Sequence, residues 1–397
     1  MHVLVINSGS SSIKFSMYQV DGTGTSSPVA IYDGEISAVG TPSPEFHFKD
    51  AKGKDLTAGV TVKAATIEEA IRTVESAVGA PSLPRVEAVG YRVVHPGPKL
   101  QGHQRVTPNV LQALRDAEAF APLHDPVAVE MIEEMMERLP DVGHYACFDT
   151  VFHETMPEAA KTYAIPEEYR RLGVRRYGFH GLSCESIVVQ LREGGIALPK
   201  RLAIAHLGSG CSVTAVVDGK SLENTMGLTP TGGVVMGTRP GDLDPGLMIY
   251  LLRQQKGDGA KQLEAMVNHK GGMVALSGMA NDMKALRHAA AAGEAHPQLA
   301  IAVFTRSIRK AIGGFAFLMG GLDALVFTGG IGEHDAATRS EVLAGLDGMG
   351  IALDQNAAHK SATGLRRVSA ADSKTTVYVA PADEDRMIAW HVGRMAL

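Results

Sequence analysis

The sequence predicts an α/β protein built from two matching halves, and three observations carry that expectation. An apolar run, a Gly/Ser-rich turn and a second strand occupy residues 3–22 (VLVINSGSSSIKFSMYQVDG), and the same order returns about 200 residues later at 202–220 (LAIAHLGSGCSVTAVVDGK). Each copy closes on an Asp-Gly pair, which suits the next hairpin turn. Behind each copy, helical and strand patterns alternate. Self-similarity at this distance points to a duplicated frame, and 397 residues suffice for two domains with separate cores.

Residues 23–59 are rich in Gly, Pro, Ser and Thr, with short alternating pieces at 30–35 and 45–48, as in strands and loops at a sheet edge. Residues 67–78 have helical apolar spacing with Glu68 and Glu69 in the first turn, and 86–94 read as an apolar strand running into His95 and Pro96. Residues 109–119 and 125–139 read as helices, and 144–148 as a strand delivering Asp149. After residue 202 the order repeats: hairpin strands, helices near 244–255, 261–268 and 297–320, then a strand at 324–327. Residues 193–200 (EGGIALPK) read as a loop. The window 311–330 is long enough to span a bilayer, but Asp323 and six glycines make it a helix, a turn and a buried strand. Two such halves make α/β domains with a ligand crevice expected between them.

Composition narrows the function. Apolar content of 45% with 20% charged residues is globular, and a net charge of -5 gives no basic field that would gather nucleic acid or an anionic membrane. An anionic ligand must then be held by a few placed arginines. Cys147, Cys184 and Cys211 form no CxxC pair, so neither a disulfide framework nor a zinc site is expected. The first apolar run stops at Asn7, too early for a signal core, and a cytoplasmic location is expected.

Eight stretches carry candidate chemistry. The two Gly/Ser turns can donate N–H and O–H groups to phosphate oxygens, or be ordinary tight hairpins. A third glycine turn, TGGIGE at 328–333, follows a strand and opens a helix, a geometry that accepts phosphate, or simply packs. Arg239, in GGVVMGTRPGDLDPG at 232–246, and Arg92, in GYRVVHPG at 90–97, are candidate forks for an oxyanion; the alternative for Arg239 is a surface ion pair with Asp242 or Asp244. Asp149 follows an apolar strand, where a carboxylate needs a partner or a metal. His180, in RRYGFHG, could donate to a transferring phosphoryl group or be structural. Glu384, in PADED after an apolar strand, could hold Mg²⁺ or be a helix N-terminal acid.

Together these segments resemble the acetate kinase family, short-chain acyl kinases of the actin, Hsp70 and sugar-kinase superfamily. The likeness rests on VINSGSSSIKF at 5–15, RVVH at 92–95, APLH at 121–124, FDTVFHETMP at 148–157, RYGFHG at 176–181, HLGSG at 206–210, MGTRPGDLDPG at 236–246 and GGIGE at 329–333. It implies duplicated actin-like (ribonuclease H-like) ATPase domains flanking a central cleft. The first would cover 1–150, with a C-terminal helix at about 385–397 packing back on it, and the second 151–384. It implies reversible Mg²⁺- or Mn²⁺-dependent transfer of the ATP γ-phosphoryl group to acetate, giving acetyl phosphate and ADP by direct in-line transfer, in a homodimer.

The resemblance assigns Asn7 and Glu384 to the metal, and Lys14 with His206, Leu207, Gly208, Ser209 and Gly210 to the nucleotide phosphates. Asp282, Met283 and Lys284, with Gly330, Ile331, Gly332, Glu333 and His334, fall at adenosine-side positions. Arg92 and Arg239 would bind carboxylate and phosphoryl group, His180 would stabilise the transition state, and Asp149 is the catalytic acid. Val94, Leu123, His124, Phe179 and Pro230 match the acyl pocket. The chain departs from the family at Tyr91 (usually His), Asp125 and Ser209 (Asn), Cys184 (His), Lys284 (Arg) and His334 (Asn), and has Gly232 and Gly233 where bulkier residues are usual. Those glycines would suit a larger acid such as propionate. A pyrophosphate-using relative is an alternative enzyme, and an actin-like or Hsp70-like nucleotide switch an alternative of another class. Paired arginines argue against the switch, which has no acid to bind.

Overall fold

The computed structural model describes residues 1–9, 12–121, 125–360 and 362–396. The chain divides into two compact units, residues 1–151 with 383–397, and residues 152–382.

The first unit is built on a seven-stranded sheet of order β4-β3-β2-β1-β5-β7-β6. Its strands are β1 (His2–Ser8), β2 (Ser12–Gln19), β3 (Val29–Ser37), β4 (Glu45–Asp50), β5 (Ala88–Val93), β6 (Gln104–Arg105) and β7 (Gly143–Phe148). β1 to β4 run antiparallel in sequence order, while β5 and β7 add parallel to β1. One face carries the Ile67–Val78, Pro108–Ala117 and Asp125–Arg138 helices over a core that includes Phe15, Ile36, Val74, Ile132 and Phe148. The Ile67–Val78 helix starts where the sequence places it because Thr66 and Glu69 form a reciprocal cap: Thr66 Oγ1 accepts from Glu69 N at 3.1 Å and Glu69 Oε2 from Ala65 N at 2.9 Å. On β5, Gly90 lets the Glu384–Ala396 helix approach, since a Cβ there would stand 2.7 Å from Ile388 Cγ2 and Val392 Cγ2.

The second unit has a six-stranded sheet of order β10-β9-β8-β11-β13-β12. Its strands are β8 (Arg201–Leu207), β9 (Cys211–Val217), β10 (Lys220–Asn224), β11 (Ala324–Thr328), β12 (Arg366–Arg367) and β13 (Thr376–Val379). Its β10-β9-β8-β11-β13 core matches β3-β2-β1-β5-β7 in order and sense: three antiparallel strands, then two parallel ones. The duplicated ribonuclease H-like arrangement is therefore present strand for strand. Asn7 pairs with Lys14 in the first hairpin and His206 with Ser212 in the second, so both Gly/Ser turns open at the same corner of the frame. The apolar window resolves into the end of the Ala295–Leu318 helix, a turn and β11. Among the described residues no helix is long and apolar enough to cross a membrane.

Candidate functional site

In the first unit, Arg92, Asp149, Asn7 and Glu384 come together. Arg92 sits near the C-terminal end of β5, and Asp149 directly follows the neighbouring parallel strand β7. The guanidinium grips Asp149 with a fork: Nε donates to Oδ1 at 3.1 Å and Nη2 donates to Oδ2. Nε lies 3.4 Å from Glu384 Oε2, and Nη1 donates to Asn7 Oδ1 at 3.4 Å. Burial pushes the Asp149 carboxyl up against the pull of Arg92, with Glu384 adding to the rise. Burial also opposes the charge on Arg92, but Asp149 and then Glu384 outweigh it, and its pKa is raised.

Asp385 is the member of this cluster that the sequence reading missed. Its Oδ1 accepts from Asn7 Nδ2 at 3.1 Å and its Oδ2 from Ser16 Oγ at 2.8 Å. That grip turns the Asn7 carbonyl oxygen toward Arg92. Burial raises the Asp385 pKa, with Glu384 and Asp383 contributing. Arg92 thus pairs with two of three clustered carboxylates, Asp149 and Glu384, and the surplus negative charge, presented with an amide oxygen, is a hard oxygen donor set of the kind divalent cations take. Lys14 is exposed on β2 opposite Asn7.

A fourth acid lies between Arg92 and Asp149 in the sequence. Asp125 opens the Asp125–Arg138 helix and is fully buried; Oδ1 accepts from His95 N at 3.2 Å, while Oδ2 has no partner among the described residues. Burial pushes its carboxyl up to about 8, opposed by the His95 and Val94 N–H groups and aided by Glu118 and Asp149. Val94, directly after β5, is buried. Leu123 and His124 lie outside the described residues.

In the second unit, His180, Gly210 and Arg239 converge. His180 caps the Gly181–Glu193 helix in the left-handed region, φ 59°, a strained conformation for a residue with a side chain. Its Nδ1 meets Ser212 Oγ at 2.9 Å and its ring stacks on His206 at 4.0 Å, itself held by Ser183 through Nδ1 at 2.8 Å. A Cβ on Gly210 would stand 3.5 Å from His180 Nε2 and 3.7 Å from Arg239 Nη1, so the loop passes within van der Waals reach of both groups. Arg239 Nη1 donates to Pro230 O at 3.0 Å, and burial lowers its pKa. Asp242 and Asp244 serve backbone instead: Asp242 Oδ1 accepts from Gly233 N at 2.7 Å, and Asp244 caps the Pro245–Gln254 helix. Phe179 and Pro230 are buried.

The third glycine turn reaches the second loop. Gly329, φ 75°, opens the short Gly329–His334 helix, and a Cβ there would lie 2.8 Å from Leu207 O. The helix contains Gly330, Ile331, Gly332, Glu333 and His334; Glu333 Oε1 accepts from Ala382 N at 3.1 Å. Asp282 caps the Met283–Ala291 helix, accepting from Lys284 N at 2.8 Å and Ala285 N at 3.3 Å. Gly233 has φ 94° and no room for a Cβ, which would lie 2.6 Å from Thr225 O. Backbone geometry therefore dictates that glycine, and it says nothing about a larger acid.

Gly/Ser loops on a duplicated ribonuclease H-like frame, with a part-buried arginine near each, are the arrangement of a phosphotransferase. The chain belongs to the acetokinase family, whose model matches residues 2–390. It is 39% identical over 398 residues to an acetate kinase of Rhodopseudomonas palustris, covering 99% of this chain and 98% of that protein. It is 40% identical over 395 residues to an acetate kinase of Deinococcus radiodurans, covering 98% and 96%. Among solved structures it resembles acetate kinase from Porphyromonas gingivalis (TM-score 0.85, 31% identity, all of both chains) and a propionate kinase from Francisella tularensis (TM-score 0.86, 32% identity, 98% of both).

Proposed function

We propose that this chain catalyses reversible transfer of the ATP γ-phosphoryl group to acetate, giving acetyl phosphate and ADP. The observation that carries this reading is the Arg92–Asp149–Glu384–Asn7 cluster, an arginine held among acids and an amide oxygen. A carboxylic acid with a pKa of about 4 to 5 is already ionised at pH 7, so the nucleophile needs no base. It needs its charge screened from the phosphoryl group it attacks, and catalysis is then positioning and electrostatics.

Asn7 and Glu384 would hold Mg²⁺, with Asp385 keeping the Asn7 oxygen turned inward. When bound, the ion would neutralise charge on the nucleotide phosphates. Arg92 and Arg239 bind the carboxylate and the phosphoryl oxygens, and His180 donates to the charge that develops in transfer. Asp149 acts as a positioning residue through its fork on Arg92. Lys14 and residues 206–210 take the phosphates; Gly330 to His334 and Asp282 to Lys284 take the adenosine side. Val94, Leu123, His124, Phe179 and Pro230 form the acyl site. The reaction is placed in the cytoplasm. A second copy is the proposed partner, in keeping with the Pro245–Gln254 helix, which buries none of its residues and exposes Leu247, Ile249, Tyr250 and Leu252; light scattering after size exclusion tests for a dimer.

Hydroxylamine trapping of acyl phosphate tests the function, with acetate, propionate and butyrate each paired with ATP or pyrophosphate. Acetate with ATP is expected to give the highest kcat/KM, and propionate to follow within the 1 to 3 kcal/mol, roughly, that one methylene is worth. No acyl phosphate from any pair refutes the reading.

A further inference from the structure

Ser209 is the exposed tip of the 206–210 loop, and a second residue holds its hydroxyl. Asn281, just before the Met283–Ala291 helix, donates from Nδ2 to Ser209 Oγ at 3.0 Å. The Ser209 carbonyl is fixed as well, accepting from Gly237 N at 3.2 Å. Gly237 lies directly against the Asn281 amide, for a Cβ there would stand 2.2 Å from Oδ1 and 2.4 Å from Cγ. Its φ is outside the left-handed region. The missing side chain therefore makes room for the carboxamide and does not serve the backbone.

Hydrogen-bond inventory gives this pair a direction. A serine oxygen that accepts from an amide keeps its own O–H for another acceptor, and the amide nitrogen keeps a second N–H. Asp282 spends its carboxylate on the helix cap, which fixes where Asn281 stands. Two neutral donors are thus set at the tip of a phosphate loop, at the seam between residues 206–210, 236–239 and 281–282.

We propose that Asn281 is a phosphate-positioning residue of the donor site, orienting the Ser209 hydroxyl and adding its own amide N–H toward the phosphate chain of the nucleotide. The proposal rests on the nucleotide reading above and adds to it a residue from outside the glycine loops. It also explains why the MGTRPG segment carries glycine at position 237.

Calorimetric titration with MgATP, beside steady-state kinetics, tests it. N281A and S209A should each weaken MgATP binding about 10-fold, the double variant should be little worse than either, and the KM for acetate should stay within about twofold. N281D, which turns a carboxylate toward the phosphates, should weaken binding further than N281A. G237A should reproduce the N281A loss in the wild-type background and add nothing to N281A. MgATP affinity within about twofold of wild type in both N281A and N281D overturns the proposal, as does an equal rise in KM for acetate and for ATP. Failure of the unaltered chain to make acetyl phosphate sinks the kinase reading instead, and the calorimetric comparison still decides the role of Asn281.

Discussion

Replacing Asp125 with Asn should remove a specific pH dependence of stability. The folded carboxyl has a pKa of about 8 against 3.8 for the free group, because burial disfavours the ion more than the His95 and Val94 N–H groups favour it. Between these values the folded protein holds a proton that the unfolded chain has lost. Folding takes up that proton, so stability contributed by this group falls as pH rises through the window. At about 1.36 kcal/mol per pH unit, the full loss between pH 5 and pH 7 is about 2.7 kcal/mol. Local relaxation around the carboxyl lowers that figure, and about half of it is a reasonable floor. Asparagine has the same shape and offers an oxygen to His95 N, but does not titrate. Urea unfolding of both proteins at pH 5, 6, 7 and 8 measures the difference, in which titrating groups that do not interact with Asp125 cancel. D125N should be the more stable protein by a margin that widens with pH and levels off above pH 8. A margin that stays constant from pH 5 to pH 8 would show that the buried carboxyl does not hold its proton.

Three further outcomes are expected. R239A should lose several kcal/mol, roughly 10²- to 10³-fold, in kcat/KM by removing a charge-assisted clamp; a variant near wild type would place the site elsewhere. D149N should lower kcat and weaken the dependence on Mg²⁺ together by loosening Arg92, whereas loss of a single ionisation from the kcat–pH profile at unchanged Mg²⁺ affinity would make Asp149 a general base. G34A puts a Cβ 2.2 Å from Phe15 Cζ in the first core and should cost about 1 to 3 kcal/mol, read as a lower melting temperature.

Much of this architecture was legible because its signals are local. The Gly/Ser hairpins, the strand before Asp149 and the Thr66-capped helix each follow from a dozen contiguous residues, and the structure has them within a residue or two. Pairing was less legible. That Arg92 would be clamped by Asp149 depends on β5 and β7 being parallel neighbours, 57 residues apart. The Gly181–Glu193 helix was missed because it starts from a histidine in a left-handed conformation, where the usual signals call for Ser, Thr, Asp or Asn. In PADED the sequence offers three acids and favoured Glu384, yet Asp385 makes the shorter contact to Asn7. Asn281 carried no signal, since an amide in a loop is commonplace until the glycine beneath it is seen.

The Glu384–Ala396 helix has a consequence for biosynthesis. It covers one face of the first sheet, although the chain builds the whole second unit, residues 152–382, before making it. A ribosome therefore releases a second unit able to close while the first still lacks its final helix, and domains commonly fold in the order they emerge. Here the order inverts: the N-terminal sheet is the last to be sealed. Glu384 and Asp385 arrive with that helix, so the acids that complete the Arg92 cluster reach it only after the whole second unit has been made.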